Sequence, residues 1–100
     1  MKRWYHTSAR RELNEAVLWY EDQKPGLGSQ FFAAVQETIA HIVENPRRFP
    51  LVYRDLRQAP VSRFPYLVFF MPQPDQLQIF AVSHTSRAPE IWKERRDRAW

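Results

Sequence analysis

An α+β fold is what this sequence predicts: a small, mostly antiparallel sheet with an N-terminal helical hairpin packed on one face, in the order β-α-α-β-β-β, followed by a short C-terminal helix. Three observations carry that prediction. Apolar residues recur at helical spacing from Ala9 to Val43 with one interruption by Pro and Gly, and beyond Pro50 they fall instead into short extended runs. Tyr66 to Met71 is apolar without a break, the mark of a strand buried on both faces. With 100 residues in total, 1–100 should form a single domain around one core.

Each element has its own local reason. Lys2-Arg3-Trp4-Tyr5-His6 is short and rich in rings, and reads as a strand. Ser8 offers a side-chain oxygen to cap a helix from about Ala9 to Gln23, in which Ala9, Leu13, Ala16, Val17 and Tyr20 form the apolar stripe while Arg10, Glu12, Glu15 and Glu21 face solvent. Lys24-Pro25-Gly26-Leu27-Gly28 breaks the chain, and Ser29 is available to cap the second helix. Phe32, Val35, Ile39 and Ile42 mark that helix, widened by Phe31 and Val43, and Asn45-Pro46 stops it because the residue before Pro is pushed out of the helical region. The two helices should pack antiparallel.

Beyond Pro50, Leu51–Arg54 and Ala59–Arg63 are short extended pieces. The runs at 66–71 and 79–82 should be neighbouring central strands, joined as an antiparallel hairpin through the turn Pro72-Gln73-Pro74-Asp75. Pro89 suits a first helical turn, so Glu90 to Arg98 reads as a short charged helix carrying Ile91 and Trp92.

Composition removes whole classes of function. The absence of Cys excludes a disulfide scaffold, a thiolate zinc site and a Cys nucleophile. His6, His41 and His84 lack metal-ligand spacing, so neither a metal nor another cofactor is expected. Gly26-Leu27-Gly28 lacks the third Gly of a phosphate loop. No apolar run approaches the roughly 20 residues that span a bilayer, so the expected location is the cytoplasm, with no membrane partner. The net charge is +4, and twelve of the fifteen cations are Arg, whose planar fork suits phosphates, carboxylates and aromatic faces.

Two groups of residues could carry function. Pairing of the two central strands should bring the start of the first beside the end of the second, gathering Arg63, Tyr66, His84 and Arg87 at one rim of the sheet. Cleaving RNA through its 2′-OH requires a base, an acid and cations for the developing charge. His84 could be acid or base, Arg63 and Arg87 could hold the phosphate, and Tyr66 could position it or stack on a base. A structural reading of the same residues has Tyr66 packing under the first helix, Arg87 pairing with a carboxylate such as Glu90, and His84 hydrogen-bonding the backbone at a strand end. The second group is Arg47, Arg48, Tyr53, Arg54, Arg57 and Arg63, basic and interleaved with rings, opposed only by Asp55. It suits an acidic protein segment or nucleic acid, or a charged strand edge that resists pairing.

Several of these residues also make up a known pattern. Glu12-Leu13 and Tyr20-Glu21 ahead of Pro25-Gly26-Leu27-Gly28, then Asn45-Pro46-Arg47-Arg48-Phe49-Pro50, Arg57, Arg63-Phe64-Pro65-Tyr66 and His84-x-x-Arg87-x-Pro89-x-x-Trp92 resemble the RelE/ParE superfamily of type II toxin–antitoxin toxins, nearest its ParE-like, plasmid-stabilisation branch. The resemblance extends over about residues 3–96. It implies a toxin neutralised by a cognate antitoxin, with operator DNA reached only through that antitoxin. ParE-like relatives bind DNA gyrase and trap its cleaved complex, whereas RelE-like relatives cut mRNA on the ribosome. RelE-like nucleases usually place Arg directly after the Tyr of the strand corresponding to 66–71, and this chain has Leu67 there. That departure favours the gyrase inhibitor over the ribosome-dependent endoribonuclease, and a relic that only binds antitoxin is the third possibility. For the antitoxin complex, Arg57→Glu or Arg63→Glu should weaken binding more than Arg98→Glu.

Overall fold

The computed structural model describes residues 1–99. Its elements run β1 (Lys2–Tyr5), α1 (Thr7–Gln23), α2 (Leu27–Glu44), a 3₁₀ turn (Pro46–Arg48), β2 (Leu51–Tyr53), β3 (Leu56–Pro60), β4 (Tyr66–Pro72), β5 (Gln76–His84) and α3 (Pro89–Ala99). The sheet order is β1-β5-β4-β3-β2, antiparallel except where β1 runs parallel to β5. Four strands follow the helices, one more than the expected order, because both short extended pieces pair. The second of them is Leu56–Pro60 rather than 59–63, which leaves Arg63 outside the sheet on the turn before β4.

Two apolar clusters sandwich the central strands. Ala9, Leu13, Ala16, Phe31, Val35, Ile39 and Ile42 of the helical hairpin pack on Val68, Phe70, Leu77, Ile79 and Val82. On the opposite face Leu56, Phe69, Met71, Phe80 and Ala81 are covered by Trp92 of α3, whose indole stacks on Phe69 with ring centroids 4.3 Å apart. The unbroken apolar run in β4 is thereby explained: each face has its own helical cover, and burying a large apolar side chain is worth roughly 1.5–3 kcal/mol.

The helix starts differ from those expected. His6 caps α1, its Nδ1 accepting from the Ser8 N–H at 3.2 Å, so Ser8 lies inside the first turn. Gly26, at φ 90, precedes α2, and the Glu21 carboxylate accepts from the Gly26 N–H (2.9 Å) and the Gly28 N–H (3.0 Å), leaving no capping role for Ser29. The helices touch closely at Gly28, where a Cβ would meet the Val17 carbonyl oxygen at 2.5 Å.

Midway along β5 a bulge interrupts the ladder with β4. Phe69 faces Ala81 and Phe70 faces Ile79, so Phe80 is the extra residue. The β1 pairing stops at Ile79, and beyond it side chains occupy the β5 margin: the Val82 N–H donates to Glu12 Oε1 (3.1 Å) and Arg95 Nη1 donates to the Phe80 carbonyl (3.2 Å).

Candidate functional site

The hairpin of β4 and β5 places Tyr66 directly opposite His84, with the two rings edge to face and their centroids 5.2 Å apart. Together with Arg87 they line a cleft of about 260 Å³ between α1 and the rim of the sheet, completed by Glu12, Glu15, Ala16, Trp19 and Val82. Arg63 does not line it. This residue is exposed, at φ 70, on the turn between β3 and β4, so the structure gathers three of the four rim residues and leaves out one cation.

The state of each group limits its chemistry. The turn from His84 to Arg87 is closed by Arg87 N–H donating to the His84 carbonyl (3.0 Å) and fixed to the neighbouring loop by Thr85 N–H donating to the Pro65 carbonyl (2.9 Å). Within it the Ser86 N–H donates to His84 Nδ1 at 3.0 Å, and Ser86 Oγ lies 2.8 Å from the same nitrogen. An amide can only donate, so Nδ1 holds the lone pair and the neutral ring carries its proton on Nε2. Protonation would add a proton at Nδ1, so Nε2 is a donor in both states. The Tyr66 phenol is pushed above its ordinary value by burial and by Tyr20, against the opposing pull of Arg87, and it stays protonated near neutrality. Its ring packs on Phe31 at 4.9 Å, beneath the helical hairpin.

Arg87 pairs not with Glu90 but with Glu12, Nη1 to Oε2 at 2.8 Å. Glu12 is only 7% exposed, contrary to its expected solvated position, and its two oxygens also take Arg95 Nη1 (3.0 Å) and Nη2 (2.8 Å) besides the Val82 N–H. The carboxylate is thus matched on every side, as burial of a charge demands. A sequence signal for it exists: position 12 is three after Ala9 and four before Ala16, on the apolar stripe itself.

The Arg-rich stretch divides in two. Arg57 Nη1 donates to the Phe49 carbonyl (2.6 Å) and the Arg47 carbonyl (3.3 Å), fastening the 3₁₀ turn to β3. Arg54 and the Tyr53 hydroxyl both donate to the Asp97 carboxylate at 2.9 Å, and Asp55 accepts from Arg96 at 2.7 Å, so the tight β2–β3 turn is pinned to α3. Hydrogen bonds from Arg96 and from Tyr53 hold the Asp55 and Asp97 carboxyls, respectively, below the usual range. Arg47, Arg48 and Arg63 are exposed and, among the described residues, form no ion pair, though Arg48 lies over the Phe49 ring at 5.1 Å. Beside Arg48, Phe49, Pro60 and Val61 line a second cleft of about 370 Å³ with Glu37, Thr38, His41 and Ser62. Among the described residues no three His, Asp or Glu side chains gather as a metal site.

This arrangement, a hairpin of helices on one face of a small mixed sheet, is similar in fold to a chain in the chromosomal ParDE TA system from P. aeruginosa. The two share 15% identity at a TM-score of 0.73, over 84% of this chain and 95% of that one, which is a likeness of fold. No curated protein matches in sequence. The family model for the ParE toxin of type II toxin-antitoxin systems matches residues 5–89, and this chain belongs to that family. Among the described residues no helix is long and apolar enough to cross a membrane.

Proposed function

We propose that the protein is the toxin of a type II toxin–antitoxin pair which inhibits DNA gyrase by binding it, breaking no bond with its own residues. One observation carries this reading: the Ser86 amide occupies His84 Nδ1, so the rim offers no imidazole lone pair to take a proton from a 2′-OH. The protonated Tyr66 phenol, the tie of Arg87 to Glu12 and Leu67 in place of a phosphate-binding Arg support the same conclusion. On this reading the protein acts in the cytoplasm, as a single domain. An acidic segment of the cognate antitoxin neutralises it across Arg47, Arg48 and Arg63, exposed cations of the Arg-rich stretch that form no ion pair among the described residues, and operator DNA is met only through the antitoxin.

Purified protein is added to gyrase with supercoiled plasmid and, separately, to ribosomes translating a defined mRNA. Linear DNA that accumulates only with gyrase supports the reading. Breaks in the mRNA that His84→Ala abolishes would replace it with the endoribonuclease. Because Arg57 fastens backbone carbonyls, Arg63→Glu, compared with Arg98→Glu, is the clean probe of the antitoxin surface.

A further inference from the structure

We infer that the cleft between α1 and the rim of β4 and β5 is a binding site for one carboxylate of a protein partner, with His84 acting as a hydrogen-bond donor and the backbone amide of Ser86 fixing it in that role. The inventory of polar groups around the cleft points this way. His84 keeps only Nε2–H, Arg87 has guanidinium N–H groups beyond the one spent on Glu12, and the Tyr66 hydroxyl and Trp19 Nε1–H have no hydrogen-bond partner among the described residues. Three of these four groups can only donate, and the phenol can donate as well. Donors on residues lining one cleft call for an acceptor, and a charged acceptor makes the stronger bonds.

The site is built before any ligand arrives. Three hydrogen bonds hold the 84–87 turn, and Glu12 holds Arg87, so little ordering is left for binding to bear. Charge and shape then choose among anions. Glu12 is already neutralised by two guanidiniums, but Glu15, exposed and 3.9 Å from Arg11, remains at the edge and repels a chain of phosphates more than it repels a lone carboxylate. The indole of Trp19, 58% exposed, supplies an apolar wall for an aliphatic neighbour of that carboxylate, as a Glu or Asp beside Leu in a peptide would present. That the partner is a protein rests on the reading above. The titration below contains neither gyrase nor antitoxin, so its failure and the failure of the toxin reading are separable.

The full-length chain, labelled with ¹⁵N, is first observed in a long-range histidine spectrum at alkaline pH. His84 should show a protonated Nε2 and an unprotonated Nδ1, unchanged in Ser86→Gly, which keeps the amide. Acetyl-Glu-Leu-amide, inorganic phosphate and thymidine 5′-monophosphate are then titrated in separate arms while the Trp19 indole and His84 ring signals are followed. The dipeptide should move both signals and bind more tightly than either phosphate compound. Arg87→Gln and His84→Ala should each weaken it roughly tenfold, the size of a lost charge-assisted hydrogen bond. His84→Gln, still a donor, should restore most of the affinity, and Trp19→Ala, which leaves Glu12 and its partners untouched, should also weaken binding. A proton on Nδ1, phosphate or nucleotide binding more tightly than the dipeptide, an unmoved Trp19, or His84→Gln as weak as His84→Ala would each overturn the inference.

Discussion

The tripeptide His-Thr-Ser occurs at both 6–8 and 84–86, and in each copy the Ser N–H donates to the His Nδ1, at 3.2 and 3.0 Å. At the first, the imidazole ends β1 and caps α1, with Phe80 5.1 Å away and Trp4 edge-on at 6.3 Å. Burial and the Arg95 charge push its pKa down, against a smaller opposing pull from Glu12. At the second, the ring is exposed at the end of β5 with Tyr66 edge-on against it. Identical local bonding therefore serves different ends, and what surrounds the ring decides which. Glu12 lies between the two, gripping Arg95 on the first side and Arg87 on the second.

Removing what the two copies share should have the largest effect. Glu12→Gln leaves two guanidiniums facing a neutral amide in a buried place, and urea unfolding should show a loss of about 3 kcal/mol. Separating the copies comes next. His6→Ala removes the α1 cap and should cost about 1 kcal/mol, whereas His84→Ala, on the surface, should stay within about 0.5 kcal/mol of the parent. Equal losses in the two variants would erase the distinction drawn here.

Acidity should then sharpen it. The folded His6 holds its proton less tightly than the unfolded one, so the unfolded state binds more protons once the pH falls below about 6.5. Stability from this group is present in full above that pH and declines below it until the folded value is passed. A urea midpoint followed downward from pH 7.5 should fall less steeply in His6→Gln than in the parent. Smallest of all, Ser86→Gly should shift stability by a few tenths of a kcal/mol, since the amide remains.

Much of this was legible in the residues, and the exceptions share a cause. The helical hairpin, the β4–β5 pairing and the apposition of Tyr66 and His84 follow from periodicity and one short connection, which are local properties. The parallel seat of β1 against β5 joins residues more than seventy apart, and no local pattern announces it. His6 does not stand out as a cap, because cap preferences favour Ser, Thr, Asp and Asn, and a Ser lies two residues on. The charge of Glu12 points to solvent, whereas its place on the stripe points to the burial it has. Arg57 reads as a free cation because the two carbonyls it holds belong to residues eight and ten positions away, beyond the reach of any local pattern.

β1 pairs with β5 no further than Ile79. A strand margin with open amides and carbonyls invites a foreign chain to add itself, which is how sheets seed aggregates. Past Ile79 the last stretch of β5 would be such an invitation, yet a carboxylate from α1 and a guanidinium from α3 have taken its hydrogen-bonding positions. Loss of either side chain should therefore show itself as turbidity in concentrated solution, long before the fold is lost.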